Sequence, residues 1–276
     1  MKNSFRQLIL AFTLILASSG AQADVLVLIH GWAANTNTWI QSGVVSVLEQ
    51  GNWRYAGIVT ASQNPVTIIS PRQTDADNKL YLAHLQAEAP LVIQAGQLLA
   101  ELNYIKQLHP GQKLILAGHS AGGVVARLAM VHQSAPKIDK LITIAAPNLG
   151  TPRALDGLEV VDGKPFFCPG PGIDFVKSVF GGNDYDYLKA SRPALIDLVP
   201  ARAGSLIAWL NQQPHPESDY HTIIHMINRQ GDDIVPAYSQ DLNQVSALKG
   251  QAKLHVLASG HSLSPADGNL LLSILN

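Results

Sequence analysis

The chain has 276 residues, 47% hydrophobic and 14% charged, with a formal net charge of −1. That balance leaves no electrostatic footprint for nucleic acid or for an anionic membrane surface. Cys168 is the only cysteine, which excludes an intrachain disulfide.

Lys2 and Arg6 flank the start of an apolar run over residues 8–16, and Ala21-Gln22-Ala23 follows. A basic start, a short apolar stretch and a small-residue triplet make up a secretory signal peptide, and the run is too short to span a bilayer. Cleavage after Ala23 is expected, giving an exported protein, periplasmic or secreted. Residues 1–23 are then the signal peptide, and residues 24–276 suit one sizeable α/β domain.

Residues 25–29 are continuously apolar, as in a parallel strand covered on both faces. They run into His30-Gly31-Trp32, read as a loop. Trp39, Val44, Val45, Val47 and Leu48 suggest a helix packed beside that strand, and residues 66–70 suggest another strand. Residues 77–108 read as helical, interrupted by Pro90; Leu91, Ala95, Leu98, Leu102 and Ile105 share one face. His109-Pro110-Gly111 stops this pattern. An apolar strand over residues 114–117 enters Gly118-His119-Ser120-Ala121-Gly122, and a helical stretch over 124–130 leaves it. Residues 140–145 form the next strand. From 151 to 219 the texture turns rich in Pro and Gly, with little strand pattern. Strands return at 222–227 and 253–258, and a helix over 265–275 closes the chain. Apolar strands alternating with helices predict an α/β fold, a mostly parallel sheet with helices on both faces.

Gly118-x-Ser120-x-Gly122 between a buried strand and a helix is a nucleophile elbow. Its turn strains the serine backbone, and a Cβ at either glycine would strike a neighbouring strand or helix. His119 reads as a turn residue facing a neighbouring strand. A serine hydroxyl needs a base within hydrogen-bond reach, and the base needs a carboxylate to fix its tautomer. With such an elbow the acid and then the histidine follow along the chain, each after a strand. Asp232 and Asp233 follow the 222–227 strand and compete for the acid role; His261 follows the 253–258 strand and is the candidate base. An oxyanion hole needs two aimed N–H groups. Ala121, after the nucleophile, and Trp32, after the early strand, are assigned to it. His221 and His225 are four apart, which on a helix could ligate zinc, but their segment reads as a strand, where i and i+4 lie far apart. His255 reads as a packed or edge histidine. No metal or other cofactor is invoked.

The segments ending in His30-Gly31-Trp32, Gly-His-Ser120-Ala-Gly-Gly, Pro147-Asn148-Leu-Gly150-Thr-Pro152, Asp232-Asp-Ile-Val-Pro236 and Ser-Gly-His261 together resemble the α/β-hydrolase superfamily, more narrowly its bacterial lipases and esterases. Many of those lipases have His where this chain has Asn148. The segment 194–200, followed by Leu210-Asn211, resembles the helical region after the cap in such lipases. Family patterns of the kind Asp-x-x-Val-Pro favour Asp232 as the acid, with Asp233 as the alternative. Starting its strands almost at Asp24 makes the chain similar to the minimal lipases. The resemblance implies an α/β-hydrolase fold with an inserted cap or lid over about 151–219. There Phe166, Phe167, Phe175, Val176, Val179 and Phe180 would line an acyl pocket or pack the cap onto the core. It also implies hydrolysis of carboxylic esters, triacylglycerols or other acyl esters, through an acyl-serine. The partners are a small-molecule or lipid ester, with transient contact at a lipid interface, and no nucleic acid. An acyltransferase using the same acyl-serine, or an inactive binding relative, is the alternative.

Overall fold

The computed structural model describes residues 23–62, 64–73, 76–163, 185–227 and 229–276. The predicted signal peptide up to residue 22, Cys168 and the six apolar cap residues between Phe166 and Phe180 lie outside the described residues.

The strands are β1 (Asp24–Ile29), β2 (Trp53–Thr60), β3 (Thr67–Ile69), β4 (Asn78–His84), β5 (Lys113–His119), β6 (Lys140–Ile144), β7 (Asp219–His225) and β8 (Lys253–Leu257). They form one sheet in the order β3-β2-β4-β1-β5-β6-β7-β8. Every ladder is parallel except β2–β3. The antiparallel edge thus comes from residues 67–69, from a strand that follows β1 in the chain.

The helices are α1 (Asn37–Gln41), α2 (Val44–Gln50), α3 (Leu91–Leu108), α4 (Ala121–Met130), α5 (Pro152–Asp162), α6 (Tyr185–Ala190), α7 (Arg192–Leu198), α8 (Leu206–Leu210), α9 (Ala237–Gln240) and α10 (Pro265–Leu275). Side chains alternate across a strand, so β1 serves two cores. Val25, Val27 and Ile29 pack with the predicted apolar face of α3 and with α4. Leu26 and Leu28 pack with Trp39, Val44 and Leu48 of α1 and α2 and with Leu271 of α10. Among the described residues no helix is long and apolar enough to cross a membrane.

The sequence reading needs correction in three places. Residues 77–108 are not one interrupted helix: the first part is β4, seated between β2 and β1. Leu80 to Ala83 are buried on both faces, and a short apolar run buried all round has no period that separates strand from helix. The helix suggested around Trp39 to Leu48 is two helices, split at Gly43 with φ 81°. β2 carried no strand prediction; Gly57, with φ 137° and a register shift beside it, interrupts its pattern.

In the 151–219 insertion, Ala154, Leu188, Leu195, Leu198, Ile207 and Leu210 join the core that contains α3 and α4. The described part of this segment is therefore packed onto the sheet's helical layer. The strand ends carrying His30, Ser120, the 226–236 loop and the 258–264 loop all lie at one end of the parallel sheet.

Candidate active site

Ser120 stands between β5 and α4 with φ 52° and ψ −130°. This is a costly conformation for a residue with a Cβ, and the surrounding structure must enforce it. Its N–H donates to the Ile144 carbonyl at 2.8 Å. A Cβ on Gly118 would lie 2.6 Å from the Gly123 Cα, and one on Gly122 would strike the carbonyls of Ile29 and His30. The elbow helix can approach β5 and the end of β1 only because these positions lack side chains.

The Ser120 hydroxyl donates to Nε2 of His261 at 2.8 Å. Nδ1–H of His261 donates to Asp232 Oδ2, also at 2.8 Å. The Asp232 side chain is fully buried, that of His261 only partly exposed. Asp232 Oδ1 accepts from the N–H groups of Ile234 and Val235 at 2.7 and 2.5 Å, and Gln240 Nε2 donates to Oδ2 at 3.2 Å. Burial pushes the Asp232 pKa up, but His261 and the two backbone donors outweigh it and hold the carboxyl below its ordinary range. Asp233 meets the backbone of the same histidine: its Oδ1 accepts from the His261 N–H at 3.2 Å. The two competing aspartates are thus separated by geometry, Asp232 on the ring and Asp233 on the main chain.

The loop holding Trp32 is pinned at His30. Nε2 of His30 accepts from the Leu85 N–H at 3.3 Å, and Nδ1–H donates to the Gly31 carbonyl at 3.0 Å. Burial lowers the His30 pKa, which keeps the ring neutral for this dual use. A Cβ on Gly31 would lie 2.8 Å from Ser120 Cβ, so the loop passes directly over Ser120. Ala121 opens α4, where helix N–H groups have no intrahelical acceptor. Trp32, Ala154, Leu195, Leu198, Ile234 and Val235 form a largely apolar cleft beside Ser120.

Three further residues had no usable signal in the sequence. Gln240 is fully buried; its Oε1 accepts from the His225 N–H, and its amide reaches Val235 and His225 carbonyls as well as Asp232. His119 does more than face a strand: Nε2–H donates to the His261 carbonyl at 2.8 Å. Burial and the neighbouring His261 push its pKa down to about 3, so it stays neutral. Arg127 of α4 is fully buried and donates to Asn148 Oδ1, Asn211 Oδ1 and His215 Nε2. Burial pushes its pKa down to about 9. Asn148, where the lipase resemblance departs, uses its other end to donate to the Gln240 carbonyl at 2.8 Å. An amide offers both a donor and an acceptor there, which suits it to bridge Arg127 and the α9 segment.

His221 and His255 pair with each other across β7 and β8, Nδ1 to Nε2 at 3.0 Å, away from Ser120. Among the described residues no group of three or more His, Cys, Asp or Glu is placed to hold a metal ion.

The architecture matches solved structures along nearly its full length. The lin2722 gene product of Listeria innocua superposes with a TM-score of 0.60 at 15% identity, covering 92% of this chain and 94% of that one. The mature form of the Bacillus licheniformis lipase BlEst2 gives 0.59 at 17% identity, covering 93% and 91%. This chain has an α/β-hydrolase fold. The metagenomic carboxyl esterase MGS0156 shares that α/β-hydrolase architecture, with a TM-score of 0.53 at 14% identity over 92% of this chain and 75% of that one. Residues 78–161, from β4 through the elbow to α5, match the family described as PGAP1-like alpha/beta domain. No curated protein matches the sequence.

Proposed function

We propose that this α/β-hydrolase is a serine hydrolase of carboxylic esters. The observation that carries the reading is the continuous hydrogen-bonded chain from Ser120 through His261 to Asp232, at 2.8 Å for each link. His261 takes the hydroxyl proton as Ser120 attacks the ester carbonyl, and Asp232 stabilises the imidazolium that forms. The N–H groups of Trp32 and Ala121 are assigned to the developing oxyanion. His261 returns the proton to the leaving alcohol, then activates a water that releases the acid from Ser120. The apolar side chains beside Ser120 match the chemistry of an acyl group, in a cleft of about 30 Å³. The likeness to proteins named as a lipase and a carboxyl esterase supports the same substrate class.

Labelling with a fluorophosphonate tests this reading. The adduct is expected on Ser120, and Ser120→Ala is expected to abolish labelling and lower kcat about 10⁶-fold, as in other serine hydrolases. Retained turnover in that variant would remove Ser120 from the mechanism. An ester series of graded acyl length then reads the cleft; loss of activity beyond acetyl and butyryl esters would count against a lipase. Export follows from the signal peptide, with Asp24 as the N-terminus of the released protein; a released protein that starts at Met1 would refute it.

A further inference from the structure

A second histidine–carboxylate pair lies behind the His261 loop. His225 ends β7, Asp267 lies in the first turn of α10, and both side chains are fully buried. Nδ1 of His225 meets the Gly260 carbonyl at 2.7 Å, and Nε2 meets Asp267 Oδ1 at 2.6 Å. A carbonyl oxygen only accepts, so Nδ1 carries a hydrogen. Asp267 Oδ2 accepts from the Ser264 N–H and hydroxyl at 2.9 and 3.0 Å, a capping box that favours the ionised carboxylate. With Asp267 ionised, Oδ1 also only accepts, and Nε2 must carry a hydrogen too. A ring protonated on both nitrogens is an imidazolium.

We propose that His225 and Asp267 form a buried imidazolium–carboxylate pair that positions His261 through the Gly260 carbonyl. The positioning role rests on His261 being the base of the proposed hydrolase. Two imidazoles then hold consecutive carbonyls, His225 on Gly260 and His119 on His261. With Asp233 on the His261 N–H, the main chain at the base is tied from three sides.

The groups facing His225 are Asp267 of α10, Asp232 in the loop after β7 and His119 at the end of β5, whose ring lies 5.1 Å from that of His261. Burial opposes a charge on His225, but Asp267, the Gly260 carbonyl and Asp232 raise its pKa above 6.5. Burial likewise pushes Asp267 up, and His225 and Ser264 outweigh it and hold it below 3.8. The pair therefore holds its proton more tightly than an ordinary histidine and loses it as pH rises through the raised value. Loss leaves a ring lone pair facing an oxygen lone pair, and one of the two ties opens.

Nitrogen-15 NMR of the full chain reads the ring directly, and the pH profile of ester hydrolysis reads its consequence. Above pH 6.5, the ordinary histidine value, wild-type His225 is expected to show two protonated nitrogens. Asp267→Asn keeps an acceptor for Nε2–H but removes the charge. It is expected to move the alkaline limb of kcat down by about one pH unit or more, with KM little changed. His225→Gln, which donates to Gly260 without titrating, is expected to lower kcat and abolish that limb. It serves as the second variant should Asp267→Asn not fold. A singly protonated His225 at neutral pH overturns the proposal, as does an alkaline limb unmoved by substitution. Failure of the wild type to label at Ser120 would overturn the hydrolase reading and the positioning role with it. The NMR signal judges the ion pair without any turnover.

Discussion

At the scale of single residues, the site is organised around the two sides of one histidine. Asp232 holds the His261 ring, while Asp233 holds its main-chain N–H. Asp232→Asn presents the wrong partner to Nδ1 and is expected to lower kcat about 10⁴-fold, the cost of a mis-set tautomer. Asp233→Ala removes one hydrogen bond to an N–H and is expected to cost about 1 kcal/mol, roughly fivefold in kcat. Steady-state kinetics of the two variants check this, and a reversed order would assign the acid to Asp233. Spacing alone left these neighbours unresolved, because adjacent residues in a turn share every sequence signal. Gln240 was illegible for a related reason: nothing in Ala237-Tyr-Ser-Gln240 indicates that a glutamine is buried there.

At the scale of elements, the elbow depends on close approach of helix and strand. A Cβ on Gly123 would lie 2.6 Å from Ala146 Cβ and 3.2 Å from the Gly118 carbonyl oxygen. Gly123→Ala is expected to destabilise the fold by about 1–3 kcal/mol through overpacking. Gly96, on the exposed side of α3, has nothing within 4 Å of a Cβ. Gly96→Ala is expected to stabilise by ~0.5–1 kcal/mol, the helix-propensity difference alone. Thermal unfolding of both variants checks the opposite signs. The apolar face of α3 was legible because a helix with one buried face keeps its 3.6-residue period. β4 was not, because burial on both faces erases the alternation that marks a strand.

At the scale of the whole molecule, buried carboxyls set how stability responds to pH. Asp232 and Asp267 are held below their ordinary 3.8, so their stabilisation is complete above 3.8 and is lost as pH falls through the lower values. Glu101 acts in the opposite direction. It is fully buried in α3, its Oε1 accepts from the Ala61 N–H at 3.0 Å, and its Oε2 has no partner among the described residues. Burial raises its pKa well above 4.5, with Ala61 opposing. The folded chain keeps this proton after the unfolded chain has released it, so rising pH favours unfolding. Glu101→Gln keeps an acceptor for Ala61 and cannot ionise, so it is expected to stabilise the fold at neutral and alkaline pH. The gain should vanish in acid, and thermal midpoints across the pH range measure it. The elbow at Ser120, the apolar runs of β1 and β5, and the order of Asp232 and His261 behind them were legible in the sequence, because a tight strand-to-helix turn needs glycines and these runs end at turn residues. Packing between distant elements put Asp232 on the ring, made residues 78–84 a strand and brought His119, His225 and Gln240 around the His261–Asp232 pair. Those choices depend on partners more than a hundred residues away in some cases, and a contact across that distance leaves no local period or spacing to read.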